Sequence, residues 1–161
     1  RGEIYGRLWR LRDLARRFPE LVYGTVGAVA LDYEGKLAAA VSTGGIHVKL
    51  RGRVGDSCLP GAGFYANSRG AAVATGIGEY IARALLCKYA CDLMDRGLSA
   101  KEAARKSIEY ITDLFGDGIA GLVAIDSEGT VGACFNTRGM LRAYLGEGME
   151  RPRVAIFERD L

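Results

Sequence analysis

Any chemistry in this chain has to manage without a pair of histidines. His47 is the single histidine and sits in no recognisable motif, so a Ser-His-Asp or Cys-His arrangement lacks a placed base. Neither an HExxH zinc motif nor a P-loop is present. Gly61-Ala62-Gly63-Phe64-Tyr65-Ala66 fits G-x-G-x-x-A on paper, but it follows Pro60 and a loop instead of a strand, the wrong setting for a dinucleotide. Cys58, Cys87, Cys91 and Cys134 show no CxxC spacing, which argues against structural zinc. Cys87 and Cys91 fall on one helix face and are expected to be small buried hydrophobes. What remains is a nucleophile that needs no histidine: Thr25, with Gly24 before it.

A threonine at a chain terminus carries its own general base, because the α-amine has a reference pKa of about 7.7–8.0. Hydroxyl and amine sit on adjacent carbons, so covalent geometry positions the pair. An internal threonine has no such amine, and the Gly24–Thr25 bond must first break. Glycine suits that position, since it tolerates strained backbone angles and lets the Thr25 hydroxyl approach the Gly24 carbonyl. Attack there gives an ester by N-to-O acyl shift, and water then frees Thr25. By itself, Gly24-Thr25 is a weak signal and reads first as a threonine opening a strand.

The elements around Thr25 follow from periodicity. Residues 4–17 read as a helix with Ile4, Leu8, Leu11, Leu14 and Ala15 on one face, and 18–24 as a connector. From Thr25 to Asp32 the run is apolar with little alternation, which predicts a strand buried on both faces. Tyr33-Glu34-Gly35-Lys36 is a turn, and 37–42 pairs back as a hairpin. Residues 43–66, rich in glycine, read as ordered loop. A short strand over 71–75, a helix over 79–96 ending at Gly97, and a helix from a Ser99/Glu102 capping box to about Phe115 come next. Strands follow at 120–126, 130–136 and 153–158. Gly27 to Gly35 recurs as Gly121 to Gly129 at a shift of 94 residues, by convergence on one good hairpin or by duplication. Two apolar hairpins separated by two helices predict stacked sheets with helices outside, an α/β/β/α plan.

At 161 residues and 49% hydrophobic, the chain has material for one core. The net charge of +3 resides in residues 1–24, where six Lys/Arg meet three Asp/Glu, and the remainder is neutral. A neutral body is a poor footprint for nucleic acid. No apolar run of about 18 residues predicts a membrane span, no leader is visible, and a cytoplasmic location is expected. The absence of Gln, with only Asn67 and Asn136 as amides, points weakly to a thermophilic source.

The surroundings of Thr25 resemble a known family. Gly24-Thr25-Val26-Gly27-Ala28-Val29-Ala30-Leu31-Asp32 is similar to the processing site of plant-type L-asparaginases, also called isoaspartyl peptidases, which are N-terminal-nucleophile hydrolases. The likeness continues in order through Ser42-Thr43-Gly44-Gly45, Gly52-Arg53-Val54-Gly55-Asp56-Ser57, Gly61-Ala62-Gly63 with Tyr65-Ala66, Thr75-Gly76-Ile77-Gly78-Glu79, and Phe135-Asn136-Thr137 with Gly139-Met140. It covers nearly all of residues 24–145.

The resemblance implies an α+β fold, the four-layer αββα sandwich of these hydrolases, of which only the C-terminal, β-subunit half is fully represented. Residues 1–24 would be the helical end of the α-subunit portion, and 25–161 the β-subunit catalytic portion. Autocleavage between Gly24 and Thr25 would expose Thr25 as nucleophile and base, with Thr43 hydrogen-bonding beside it. Arg53 would hold the substrate α-carboxylate, for which a planar guanidinium fork is apt. Asp56 would hold the α-ammonium, assisted by the Gly78 carbonyl. The Thr75 hydroxyl and the Gly76 N–H would form the oxyanion hole, where losing one donor typically costs about 2.7–4 kcal/mol. The implied substrates are L-asparagine and β-aspartyl dipeptides, each with a zwitterionic amino-acid head, and the implied assembly is a homodimer of processed protomers.

Two departures from the family pattern stand out. Ile77 occupies a position where the family often has His. The family's precursor has a long N-terminal half, whereas 24 residues precede Thr25 here. That half would supply the rest of both sheets, part of the pocket and a structural monovalent cation site; no cofactor is expected for the chemistry. A glycosylasparaginase shares the nucleophile logic, a threonine endopeptidase fits Arg53 and Asp56 less well, and a non-catalytic partner subunit is the alternative of a different class.

Overall fold

The computed structural model describes residues 24–46 and 49–157. The expected helix over 4–17, its connector up to residue 23, and His47 lie outside the described residues. Strand β1 (Val26–Leu31) turns back into β2 (Leu37–Ser42) as an antiparallel hairpin, with Val26 opposite Ser42 and Leu31 opposite Leu37. A second sheet runs β3 (Phe64–Ala66), β4 (Gly70–Gly76), β5 (Ala120–Asp126), β6 (Val131–Phe135), all antiparallel. Helices α1 (Gly78–Ala84), α2 (Leu86–Asp95) and α3 (Ala100–Phe115) lie between β4 and β5 in sequence. β7 (Arg142–Tyr144) and β8 (Arg153–Ala155) close the described chain as a small pair.

Strand alternation divides the four-stranded sheet between two partners. Ala72 and Ala74 of β4, with Ala120, Leu122 and Ala124 of β5, join Ile81, Leu86, Cys87, Ala90, Cys91, Ala104, Ile108 and Ile111 of the helices in one buried core. Val73 points the other way, onto the hairpin, where a Cβ on Gly27 would stand only 3.0 Å from Val73 Cγ2. The described layers are therefore helices, four-stranded sheet and two-stranded hairpin. Alanine dominates the sheet face under the helices because close layers leave room for little more.

Several expectations need correction. β1 is not covered on both faces: its outward residues are open among the described residues, and Val26 is 71% exposed. The single helix expected over 79–96 breaks at Leu85, whose φ of 46° is left-handed, so α1 and α2 are separate. No glycine or proline marks that break, and helical periodicity runs straight through it. Residues 64–66, expected as loop, form the edge strand β3, and β7 was not expected at all. The last strand stops at Ala155, short of the expected 158.

The capping box at α3 is present as expected: Ser99 Oγ accepts from the Glu102 N–H at 3.3 Å and Glu102 Oε2 accepts from the Ser99 N–H at 3.2 Å. The repeat between the two hairpins extends to their turns. Asp32 Oδ1 accepts from the N–H groups of Glu34 and Lys36 at 2.9 and 2.8 Å, and Asp126 Oδ1 accepts from those of Glu128 and Thr130 at 3.1 and 2.9 Å. Asp126 does one thing more, accepting the Ala100 N–H at 2.9 Å and so pinning the start of α3 to the sheet. That close approach needs Gly132, where a Cβ would fall 2.1 Å from the Ala100 carbonyl oxygen. Gly132→Ala should therefore cost about 1–3 kcal/mol through forced backbone displacement, seen as a lower urea midpoint with an unchanged slope.

Candidate active site

The hairpin register places the nucleophile candidate. One further pair beyond Val26 and Ser42 sets Thr25 opposite Thr43, and the Thr25 hydroxyl donates to Thr43 Oγ1 at 3.4 Å. Thr43 Oγ1 also accepts the Gly45 N–H at 3.0 Å, a local turn that fixes the hydroxyl.

Arg53 and Asp56 arrive on the loop between β2 and β3. That loop is stitched to the sheet: the Asp56 carbonyl accepts from Leu59 and Gly63 at 2.9 and 3.1 Å, and the Gly63 carbonyl accepts from Ala74 of β4 at 2.9 Å. Asp56 is 6% exposed, and its Oδ2 has no hydrogen-bond partner among the described residues. Burial raises its carboxyl above the ordinary range, against the opposing pull of its own N–H, the Arg53 charge and the Ser57 N–H. Arg53 forks sideways onto Glu79, with Nε to Oε1 at 2.7 Å and Nη2 to Oε2 at 2.8 Å. That pairing raises the guanidinium pKa and lowers the Glu79 carboxyl.

Glycines make these approaches possible. A Cβ on Gly78 would stand 2.7 Å from Asp56 Oδ1 and 2.9 Å from Arg53 Nη2. Gly76, at φ 140°, lies so close to the neighbouring strand that a Cβ would fall 2.0 Å from the Ile119 carbonyl oxygen.

An open cavity of about 380 Å³ gathers Gly24, Thr25, Thr43, Arg53, Asp56 and Gly76 on its walls. Gly78 backs Arg53 and Asp56 from outside the lining, and Thr75 is half-buried in β4 opposite Gly121, also outside it. Lys49, Ser57 and Cys58 also line the cavity, and the sequence reading gave none of them a role at the site. Nor did sequence reasoning give Glu79 a role, since a pairing 26 residues away leaves no local signal. Cys87 and Cys91 are buried as expected, and burial pushes the Cys91 thiol up to about 12, so neither offers a thiolate. Cys58 is exposed. Among the described residues no group of three or more His, Cys, Asp or Glu is placed to hold a metal ion, and no helix is long and apolar enough to cross a membrane.

The arrangement is a hydroxyl pair and a loop with charged side chains on one cavity, carried by antiparallel sheets in a mixed α/β chain. A family profile described as asparaginase matches residues 10–155. The plant-type L-asparaginase of Pyrococcus furiosus is 42% identical over 156 residues, covering 96% of this chain and 50% of that protein. Its counterpart in Pyrococcus horikoshii is 41% identical over 157 residues, covering 97% and 50%. The isoaspartyl peptidase of Escherichia coli is 53% identical over 137 residues, covering 83% and 42%. The chain belongs to the asparaginase family. It spans about half the length of the curated relatives it matches.

Asp56 yields a prediction that separates stability from binding. Its carboxyl protonates more readily in the folded chain than in the unfolded one. It therefore favours the fold at low pH and costs stability as pH rises through its folded pKa. Asp56→Asn should raise the unfolding midpoint at pH 7 by about 2–4 °C, the shift that ~1 kcal/mol gives a chain of this size. A calorimetric pH series should show that gain shrinking as pH falls below the ordinary aspartate range.

Proposed function

We propose that this chain is the nucleophile-bearing part of a self-processing amidohydrolase that cleaves L-asparagine or β-aspartyl dipeptides. One observation carries the reading: the Thr25 and Thr43 hydroxyls meet at 3.4 Å on a cavity also lined by Arg53 and by Asp56, whose Oδ2 has no hydrogen-bond partner among the described residues. The names of the relatives, plant-type L-asparaginase and isoaspartyl peptidase, support the substrate class.

The proposed processing begins with Thr25 Oγ1 attacking the Gly24 carbonyl carbon. The C–N bond breaks as the acyl group passes to oxygen, and the nitrogen becomes the free α-amine. Water hydrolyses the ester, leaving a carboxylate on Gly24 and a free Thr25. Gly24 is exposed, and among the described residues nothing stands within 4 Å of where a Cβ on it would lie. In catalysis the Thr25 amine takes the hydroxyl proton while the oxygen attacks the substrate's side-chain carbonyl. Arg53 holds the α-carboxylate, and Asp56, assisted by the Gly78 carbonyl, holds the α-ammonium. The oxyanion is met by the Gly76 N–H and the Thr75 hydroxyl. Ammonia or an amino acid leaves with the proton, and water frees the β-aspartyl ester.

The open outer face of the β1–β2 hairpin supports a further part of the reading. A two-stranded hairpin is marginal alone, and its apolar outer face calls for cover. In the proposed four-layer αββα sandwich, the preceding half of the relatives' length supplies that cover, the remaining strands and a structural monovalent cation site. Processed protomers would pair as a homodimer.

Intact mass tests the central step. Purified protein should separate into two pieces broken between Gly24 and Thr25, and Thr25→Ala should remain whole. The processed protein should then release ammonia from L-asparagine, and Arg53→Ala should raise KM far more than it lowers kcat. A chain that stays whole on long incubation would sink the self-processing reading and leave the non-catalytic partner subunit in its place.

A further inference from the structure

The Arg53 guanidinium comes to the cavity already half-occupied. Glu79, in the first turn of α1, takes the side-on pair of donors through Nε and one hydrogen of Nη2. A guanidinium has five N–H donors in a fixed plane, so three remain: the second on Nη2 and both on Nη1. One on each Nη makes up the end-on edge, and the third points back beside Cδ. Glycines flank that edge. A Cβ on Gly55 would fall 2.7 Å from Nη1, and one on Gly78 would fall 2.9 Å from Nη2. The pair runs from solvent inward, with the Arg53 side chain 14% exposed and the Glu79 side chain 51%. Arg53 lines the cavity and Glu79 does not.

Charge adds a second consequence. Arg53 is flanked by two carboxylates, Glu79 in contact and Asp56 three residues along its own loop, and both favour its charged form. With all three ionised the empty group carries one net negative charge. A zwitterionic amino-acid head leaves that unchanged. A carboxylate without an ammonium makes the group more negative, and nothing among these three residues compensates.

We propose that Glu79 is a positioning and specificity residue of the head-binding site. It holds Arg53 side-on so that the end-on edge meets the substrate carboxylate. Together with Asp56 it makes the site select α-amino acids over simple carboxylates. The inference rests on the reading of Arg53 as the carboxylate fork, and it adds a residue that does not itself touch substrate.

The test measures binding of L-aspartate and of succinate, its deamino analogue, to the full chain by calorimetry. Wild type should bind L-aspartate and discriminate against succinate. Glu79→Gln presents one acceptor and one donor to Arg53, so it should weaken L-aspartate about tenfold and narrow the ratio between the two ligands. Glu79→Asp keeps the charge but reaches less far. It should lose affinity for both ligands while keeping the wild-type ratio. The Arg53 Nε–H resonance, protected in wild type by its bond to Glu79, should broaden or vanish in both variants. Unchanged L-aspartate affinity and ratio in Glu79→Gln would overturn the inference, leaving Glu79 a surface ion pair. So would affinity losses that merely track a fall in the unfolding midpoint. Wild type that binds no L-aspartate would overturn the Arg53–Asp56 reading itself, and the inference with it.

Discussion

The backbone of Asp56 is wedged between two glycines, and the candidate site is arranged around that wedge. Gly63, just before β3, lies so near that a Cβ would stand 2.7 Å from the Asp56 carbonyl oxygen and equally close to the Ser57 Cα. Gly78, opening α1, closes from the other side against Asp56 Oδ1 and the Asp56 nitrogen. A side chain at Gly63 would push the loop out, because the three atoms it meets are all backbone; one at Gly78 would displace the Asp56 carboxylate and the Arg53 guanidinium and crowd the Asp56 nitrogen. The wedge joins three elements at one point: the loop with Arg53, the strand pair β3–β4 through Gly63, and the first turn of α1 with Glu79.

That constraint explains why a carboxylate can be buried without a full set of partners. Oδ2 of Asp56 has no hydrogen-bond partner among the described residues, and a buried unpaired polar atom costs stability. The loop cannot relax to expose it, since its carbonyls are committed to Leu59, Gly63 and, through Gly63, to β4. The strain of an unsatisfied charge is thus held in place by ordinary backbone hydrogen bonds. Strained or unsatisfied groups in a cleft commonly trade stability for function in this way.

Elements with a strong local signal were legible in the sequence. The α3 capping box, the paired Asp-x-x-Gly turns and β5 over 120–126 stand where Ser99, Asp32, Asp126 and the apolar runs put them. The break at Leu85 was not, because a left-handed leucine is a tertiary outcome with no residue that advertises it. β3 and β7 were hidden for another reason: three residues give no period to read, and their pairing partners decide them. At the site, ordered motifs named Thr25, Thr43, Arg53, Asp56 and Gly76, which the fold gathers on one cavity. Glu79 was present in the same motif run, but only three-dimensional contact assigns it to Arg53.

Positioning Thr25 and covering the hairpin are one physical problem. Thr25 directly precedes β1, and its distance to Thr43 is set by the register of a ladder that is two strands wide among the described residues. On the inner side that ladder is anchored through Gly27, where the absence of a side chain lets β1 settle onto Val73. On the outer side Val26, next to Thr25, is largely open. A strand gripped on one face twists and frays more readily than one gripped on both, and the fraying begins at its ends. A change of a few tenths of an ångström there decides whether the two hydroxyls hydrogen-bond at all, since 3.4 Å is already at the long limit for such a contact. Cover on the outer face would therefore do more than remove apolar surface from water. It would fix the strand end next to Thr25, so that covering the hairpin and sharpening the Thr25–Thr43 geometry become the same event.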